Sequence, residues 1–234
     1  MKNLLKIQLL FFLLSCFLLG CSADEAGLEE VDGTDITYSE FFKSYDRLDQ
    51  RENITYYKPV PIMELQSSFP NHVVNTIDTN RLPFEVEKEI AYLVTSENEE
   101  GDLQRQVQLT YHSKSDPGDF FIMTITEVEQ NPLTEVDMTD KLDYAGNELK
   151  KYTLTEGLPV FQQIITMNSS LVYRYYDFDE ANERLSVVAD SANEIYAYHD
   201  GFVYHAGYMV DSEETTHEQM LELTRDYILG HDDT

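Results

Sequence analysis

From Leu82 onward the apolar residues recur every second position. Phe84, Val86, Ile90, Tyr92 and Val94 are interleaved with Glu85, Glu87 and Glu89, the period of a strand with one buried face. A polar turn over residues 96–102 leads to a second alternating set, Val107, Leu109 and Tyr111. Asp116-Pro117-Gly118 then turns the chain into a third strand over 120–128. Residues 129–147 are less regular, with Pro132 and Gly146 as breakers. Strands are predicted again over 149–155, 160–167, 171–178 and 184–189, with loops at 168–170 and 179–183. The sharpest local pattern is a hairpin over 195–205. Asp200-Gly201 sits between two alternating runs, and a two-residue type I′ turn needs positive φ at both central residues.

Two stretches carry the helical period instead. Thr37-Tyr38-Ser39-Glu40 has the form of a capping box, opening a predicted helix through about Gln50 with Phe41, Phe42, Tyr45 and Leu48 along one stripe. Thr215 and Glu218 have the same spacing before Met220, Leu223, Tyr227 and Ile228, and Gly230 stands where a C′ glycine belongs. Between strands and helices, Lys58-Pro59-Val60-Pro61 blocks regular structure, and Pro61 can open a short helix reaching Ser67. The expected fold class is α+β: a mainly antiparallel sheet with an N-terminal and a C-terminal helix packed on it.

The first 20 residues follow a different rule. A short basic segment with Lys2 and Lys6 precedes an apolar run from Ile7 to Leu19, a signal-peptide length, whereas a bilayer span takes about 20 apolar residues. Leu18-Leu19-Gly20-Cys21 resembles the lipobox of bacterial lipoproteins, which makes Cys21 the expected site of lipidation. Leu13-Leu14-Ser15-Cys16 also fits, but cleavage there leaves Phe17, Leu18 and Leu19 exposed, whereas the chain turns polar directly after Cys21. The expected organisation is therefore a lipoprotein signal peptide at 1–20, an acidic flexible tether at 21–36 and a single domain at 37–234. The expected location is the cell membrane, lipid-anchored and facing outside.

Charge narrows the partners. Removing residues 1–20 from the 234 leaves 214 residues carrying 14 bases and 44 acids, a formal charge of −30. Nucleic acid, which is held through Lys and Arg neutralising phosphates, is an unsuitable partner. Anionic lipid is equally unsuitable as an electrostatic dock, so the anchor itself must hold the protein at the membrane. The only cysteines are Cys16 and Cys21. The mature domain therefore has no internal disulfide and no thiol for catalysis or zinc.

No motif singles out chemistry, and no catalytic residue, metal ligand or cofactor is assigned. In the register of the Asp-Gly hairpin, His199 and His205 fall on opposite faces, and no His-x-x-x-His occurs. Residues 177–183 are rich in acids but lack the sixth-position Gly of a calcium loop and have Val188 at its twelfth position. Acid pairs suited to glycoside hydrolysis are numerous, and spacing selects none. One surface stands out: Tyr196, Tyr198, Tyr204 and Tyr208 crowd the last strands of a chain without Trp. Tyrosine offers a rigid apolar body with a polar tip, suited to a peptide or glycan. The same residues also suit cross-strand packing in a core.

Leu82-Pro83-Phe84 leading into a strand, Val107-x-Leu109-x-Tyr111, Phe121 to Glu127, and Asp200-Gly201-Phe202-Val203-Tyr204 before a terminal helix occur in that order. This order resembles a domain of unknown function found in lipoproteins of Gram-positive bacteria and in the extracytoplasmic part of anti-sigma-factor proteins. The resemblance implies a location and a sensing or accessory role, with no catalytic residue. The lipobox, the acidic tether, the tyrosines and the absence of a catalytic motif, together with the many acids, leave two expected functions. The first is a lipid-anchored, non-enzymatic binding, sensing or accessory domain at the membrane–cell-wall interface, with a protein or glycan partner. The alternative is an extracellular hydrolase of cell-wall polymer or peptide using unidentified carboxylates.

Overall fold

The computed structural model describes residues 27–37, 51–66, 69–70, 73–98, 100–134, 146–153, 157–166, 172–210 and 217–230. Among the described residues its frame is one eleven-stranded sheet. The strands are β1 (Glu30–Gly33), β2 (Glu52–Tyr57), β3 (Val86–Glu97), β4 (Leu103–Ser113), β5 (Phe120–Glu127), β6 (Glu148–Thr153), β7 (Pro159–Ile164), β8 (Tyr173–Asp179), β9 (Arg184–Asp190), β10 (Asn193–His199) and β11 (Phe202–Met209). Their order in space is β6-β7-β10-β11-β5-β4-β3-β2-β1-β9-β8. Every pairing is antiparallel except β1 with β9. Among the described residues the α-helices are α1 (Ile62–Leu65) and α2 (His217–Leu229).

The alternation of the sequence becomes two sheet faces. Ala91 and Leu93 of β3 lie beside Leu109 and Val107 of β4, then Met123 and Ile125 of β5, then Ala206 and Tyr204 of β11. These side chains form the main core with Val73, Val74, Ile77, Met220, Leu223, Tyr227 and Ile228, so α2 and the segment before β3 cover this apolar face. Hydrogen bonds fix the cover. The Tyr227 hydroxyl donates to the Val73 carbonyl at 3.0 Å and accepts from the Asn75 N–H at 3.0 Å, while Arg81 reaches Asp226 at 2.8 Å.

The mostly antiparallel sheet and the C-terminal helix stand as expected, and the hairpin register is His199 opposite Phe202 and Tyr196 opposite His205. Asp200 and Gly201 have φ of 48° and 87°, and Gly230, just past α2, has φ of 79°. The helix expected over 37–50 lies on residues outside those described, apart from Thr37, as do Cys21, residues 1–20 and the capping Thr215.

The tether needs correcting. Expected to run to residue 36, it yields to strand from Glu30, and Ile36 and Thr37 are 6% and 2% exposed. Glu30 and Val31 pair with Tyr57 and Tyr56, and Asp32 and Gly33 pair with Arg184 and Leu185. The physical reason is partnership. This short acidic segment bonds on both edges, and Val31 packs in a cluster with Tyr56 and Leu185. Gly33 is required there, because an added Cβ would lie 2.3 Å from the Tyr56 ring.

Candidate functional site

The opposite face of the same strands is also buried, and it mixes apolar side chains such as Tyr92, Val94, Ile122 and Val203 with a set of polar ones on β4 and β5. Gln104, Gln106, Gln108 and Thr110 point from β4 and Thr124 and Thr126 from β5; none is more than 8% exposed. In register, Gln108 lies beside Thr124, Thr124 beside His205, and His205 beside Tyr196. The row continues through Phe161 to Lys151.

What buries this face is the far end of the sheet. β8 stands five places beyond β4 in the strand order, and it folds back so that its backbone meets β4 side chains. The Gln108 side-chain amide accepts from the Tyr176 N–H at 2.6 Å and donates to the Tyr176 carbonyl at 2.8 Å. One amide thus substitutes for a neighbouring strand. Tyr173 drops onto Gly207 and His205; its ring stands edge-on to His205 at 5.0 Å, and its hydroxyl donates to the Ile122 carbonyl at 3.4 Å.

Gln106 is the second fixed point. Its Oε1 accepts from the Tyr176 hydroxyl at 2.7 Å and from Thr37 Oγ1 at 2.9 Å, and its Nε2 donates to the Thr37 carbonyl and to Thr126 Oγ1. Burial pushes the Tyr176 phenol well above its ordinary range, so the hydroxyl stays protonated and can keep donating. Arg51 also lies on this side, donating to Ser96 Oγ and to the Glu127 carbonyl.

The most chemically dense group is Glu194, Tyr196 and His205. The Tyr196 hydroxyl donates to Glu194 Oε2, and His205 Nε2 lies 2.7 Å from the same oxygen. The Tyr196 and His205 rings stack with centroids 4.4 Å apart. The Glu194 and His205 side chains are 2% and 6% exposed. A carboxyl so enclosed needs donors to offset its desolvation, and these two supply them. The cluster can therefore fix the β10–β11 pair firmly, and Tyr173 packs edge-on against its His205.

The tyrosine surface is not formed. Tyr196, Tyr204 and Tyr208 are 0%, 0% and 2% exposed, and only Tyr198 is partly open. The four also divide between faces: Tyr196 and Tyr198 lie on the polar side, Tyr204 and Tyr208 on the apolar side. Both sheet faces are covered, so alternation sends tyrosines into two interiors rather than out to solvent. His199 and His205 do fall on opposite faces. In the 177–183 loop, Asp179 accepts from the Ala181 and Asn182 N–H groups at 2.9 and 3.2 Å, an Asx turn. Among the described residues, no three of His, Cys, Asp and Glu are placed to hold a metal ion.

Sequence reading missed the buried polar face. Its available signal was the kind of polar residue: in a chain with 44 acids, the buried polar side chains that β4 and β5 turn to this face are all Gln or Thr. No protein-family model, curated relative or solved structure matches the chain.

Proposed function

We propose that the protein is a lipid-anchored extracytoplasmic domain with a non-enzymatic binding, sensing or accessory role at the membrane–cell-wall interface. The observation that carries this reading is the lipobox ending at Cys21, with β1 beginning only nine residues later at Glu30. A stretch that short holds the domain at the membrane rather than letting it range outward. The domain's interior supports a non-catalytic role: Glu194, the buried carboxyl among the described residues, is engaged by Tyr196 and His205 beneath Tyr173. The same reading keeps the N-terminal helix expected over 37–50 from its capping-box pattern.

The test is export and acylation. Expressed in a Gram-positive host, the wild type is expected in the membrane fraction with an acyl mass on an N-terminal Cys21, and Cys21→Ala is expected to lose that mass and leave the membrane. An unacylated mature terminus, or wild-type protein in the cytosol, overturns the proposal.

A further inference from the structure

We infer that the exposed surface of Pro61 and α1 rests on the outer surface of the bilayer that carries the anchor, with Met63 entering its apolar boundary. This rests on the lipid-anchored reading above and adds which part of the domain meets the lipid.

The tether's emergence point is fixed. Leu28 packs against the main core with Val60. Its neighbour Glu29 is held by the Lys58 backbone, whose N–H donates to the Glu29 carbonyl at 2.8 Å, and by Lys58 Nζ at 3.2 Å. Eight residue steps separate Glu29 from Cys21, a reach of at most about 28 Å at full extension. The chain enters the domain beside Lys58, and α1 starts four residues further on.

Met63 and Glu64 are the outward residues of that helix, Met63 being the apolar one. Ile62 and Leu65 are 2% and 0% exposed and pin α1 to the core, whereas Met63 is 74% exposed. Among the described residues the next most open large apolar side chains, Leu103 and Leu229, are each 38% exposed. Pro61 is exposed beside it. A lone methionine on an acidic protein would not bring it to a membrane from solution. An acylated cysteine within reach changes the arithmetic, because the contact becomes intramolecular and a weak apolar gain is enough to populate it. Unbranched, flexible Met adapts readily to the irregular headgroup boundary.

The chain contains no Trp, so Met63→Trp introduces a single indole whose emission is separable from that of the tyrosines. The lipidated full chain is reconstituted into phosphatidylcholine vesicles with plain or brominated acyl chains, alongside Leu103→Trp as a reference position. The expected result is a blue-shifted emission and loss of intensity in brominated vesicles for Met63→Trp, with neither change for Leu103→Trp. Met63→Trp combined with Cys21→Ala is expected to neither float with vesicles nor shift. Acylated, vesicle-bound protein whose residue 63 is unshifted, or is quenched no more than residue 103, overturns the inference and leaves the anchoring intact. Protein lacking the acyl mass and failing to float overturns the anchoring reading and this one with it.

Discussion

The two faces of the sheet solve the same burial problem with different chemistry. The face under α2 is closed by aliphatic and aromatic area, with Leu109, Met123, Ile125 and Ala206 meeting Met220, Leu223 and Ile228. The face under β8 adds direction to area: beside the apolar clusters of Tyr92, Val94, Tyr176 and Leu185 and of Phe120, Ile122 and Tyr173, Gln106 and Gln108 receive specific backbone and hydroxyl groups. Apolar burial is non-directional and scales with area, so it tolerates small shifts. A buried amide network costs stability wherever a partner is misplaced, so it admits one position of β8. Both faces bury apolar area, and the amides of the second also specify how the sheet folds onto itself.

Adjacent residues on β4 separate these roles. Leu109 and Gln108 point to opposite faces and both are 0% exposed. Leu109→Ala deletes core volume and is expected to lower unfolding stability by about 3 kcal/mol, within the spread for buried Leu→Ala. Urea melts at unchanged m-value would show it, with amide exchange accelerated across the whole sheet. Gln108→Leu keeps volume but leaves the Tyr176 N–H and carbonyl buried without partners, at about 2 kcal/mol. Its exchange signature should be local, confined to β8 and β9. If both variants loosen the same amides, the two-face distinction fails.

Gly207→Ala sharpens the same contrast at one atom. A Cβ there would lie 2.5 Å from the Tyr173 ring, which is 1% exposed, so β8 or Tyr173 must move. Overpacking of this kind costs about 1–2 kcal/mol. Near-ultraviolet circular dichroism should change at Tyr173 while the α2 side keeps its exchange protection. Unaltered spectra together with wild-type stability would show that the ring is not held against Gly207.

How much of this could be read in the chain follows from the same contrast. Strands β3 to β11 were legible because their alternation is long and turn residues punctuate it; Asp200-Gly201 even set the register of β10 and β11. Strands β1 and β2 were not. β1 is four residues whose strand state comes from β2 and β9, and β2 is irregular, with a shifted register and positive φ at Asn53. The fate of the tyrosines was illegible for a further reason. Period two states that Tyr196 and Tyr204 take opposite sides, but only the return of β8 over one side and α2 over the other makes both sides interior. A polar residue on an alternating strand is read by default as solvated, which is why Gln106 and Gln108 passed unnoticed.

The weakest expected effect belongs to the rim of the apolar face, where a charge pair holds the cover. Asp226 sits between Arg81, at 2.8 Å, and Arg225, at 2.7 Å, with 18% of its side chain exposed. Burial raises its carboxyl, but the hydrogen bonds from Arg225 and Arg81 outweigh that and hold it below its ordinary value of 3.8. A group depressed in the folded state stabilises above its unfolded value, so this contribution is complete at neutral pH and is lost as the pH falls below about 4. Both arginines are partly solvated, which keeps the contribution to about 1 kcal/mol or less. Asp226→Asn should therefore lower stability slightly at pH 7 and converge on the wild type near pH 3, with the neutral-pH difference shrinking in high salt. Because Tyr227 still pins Val73 and Asn75, α2 itself should stay docked, and tyrosine fluorescence of the folded state should not change. A difference that persists undiminished at pH 3 would mean that Asp226 acts through packing, and the rim would then belong with the area-driven face it borders.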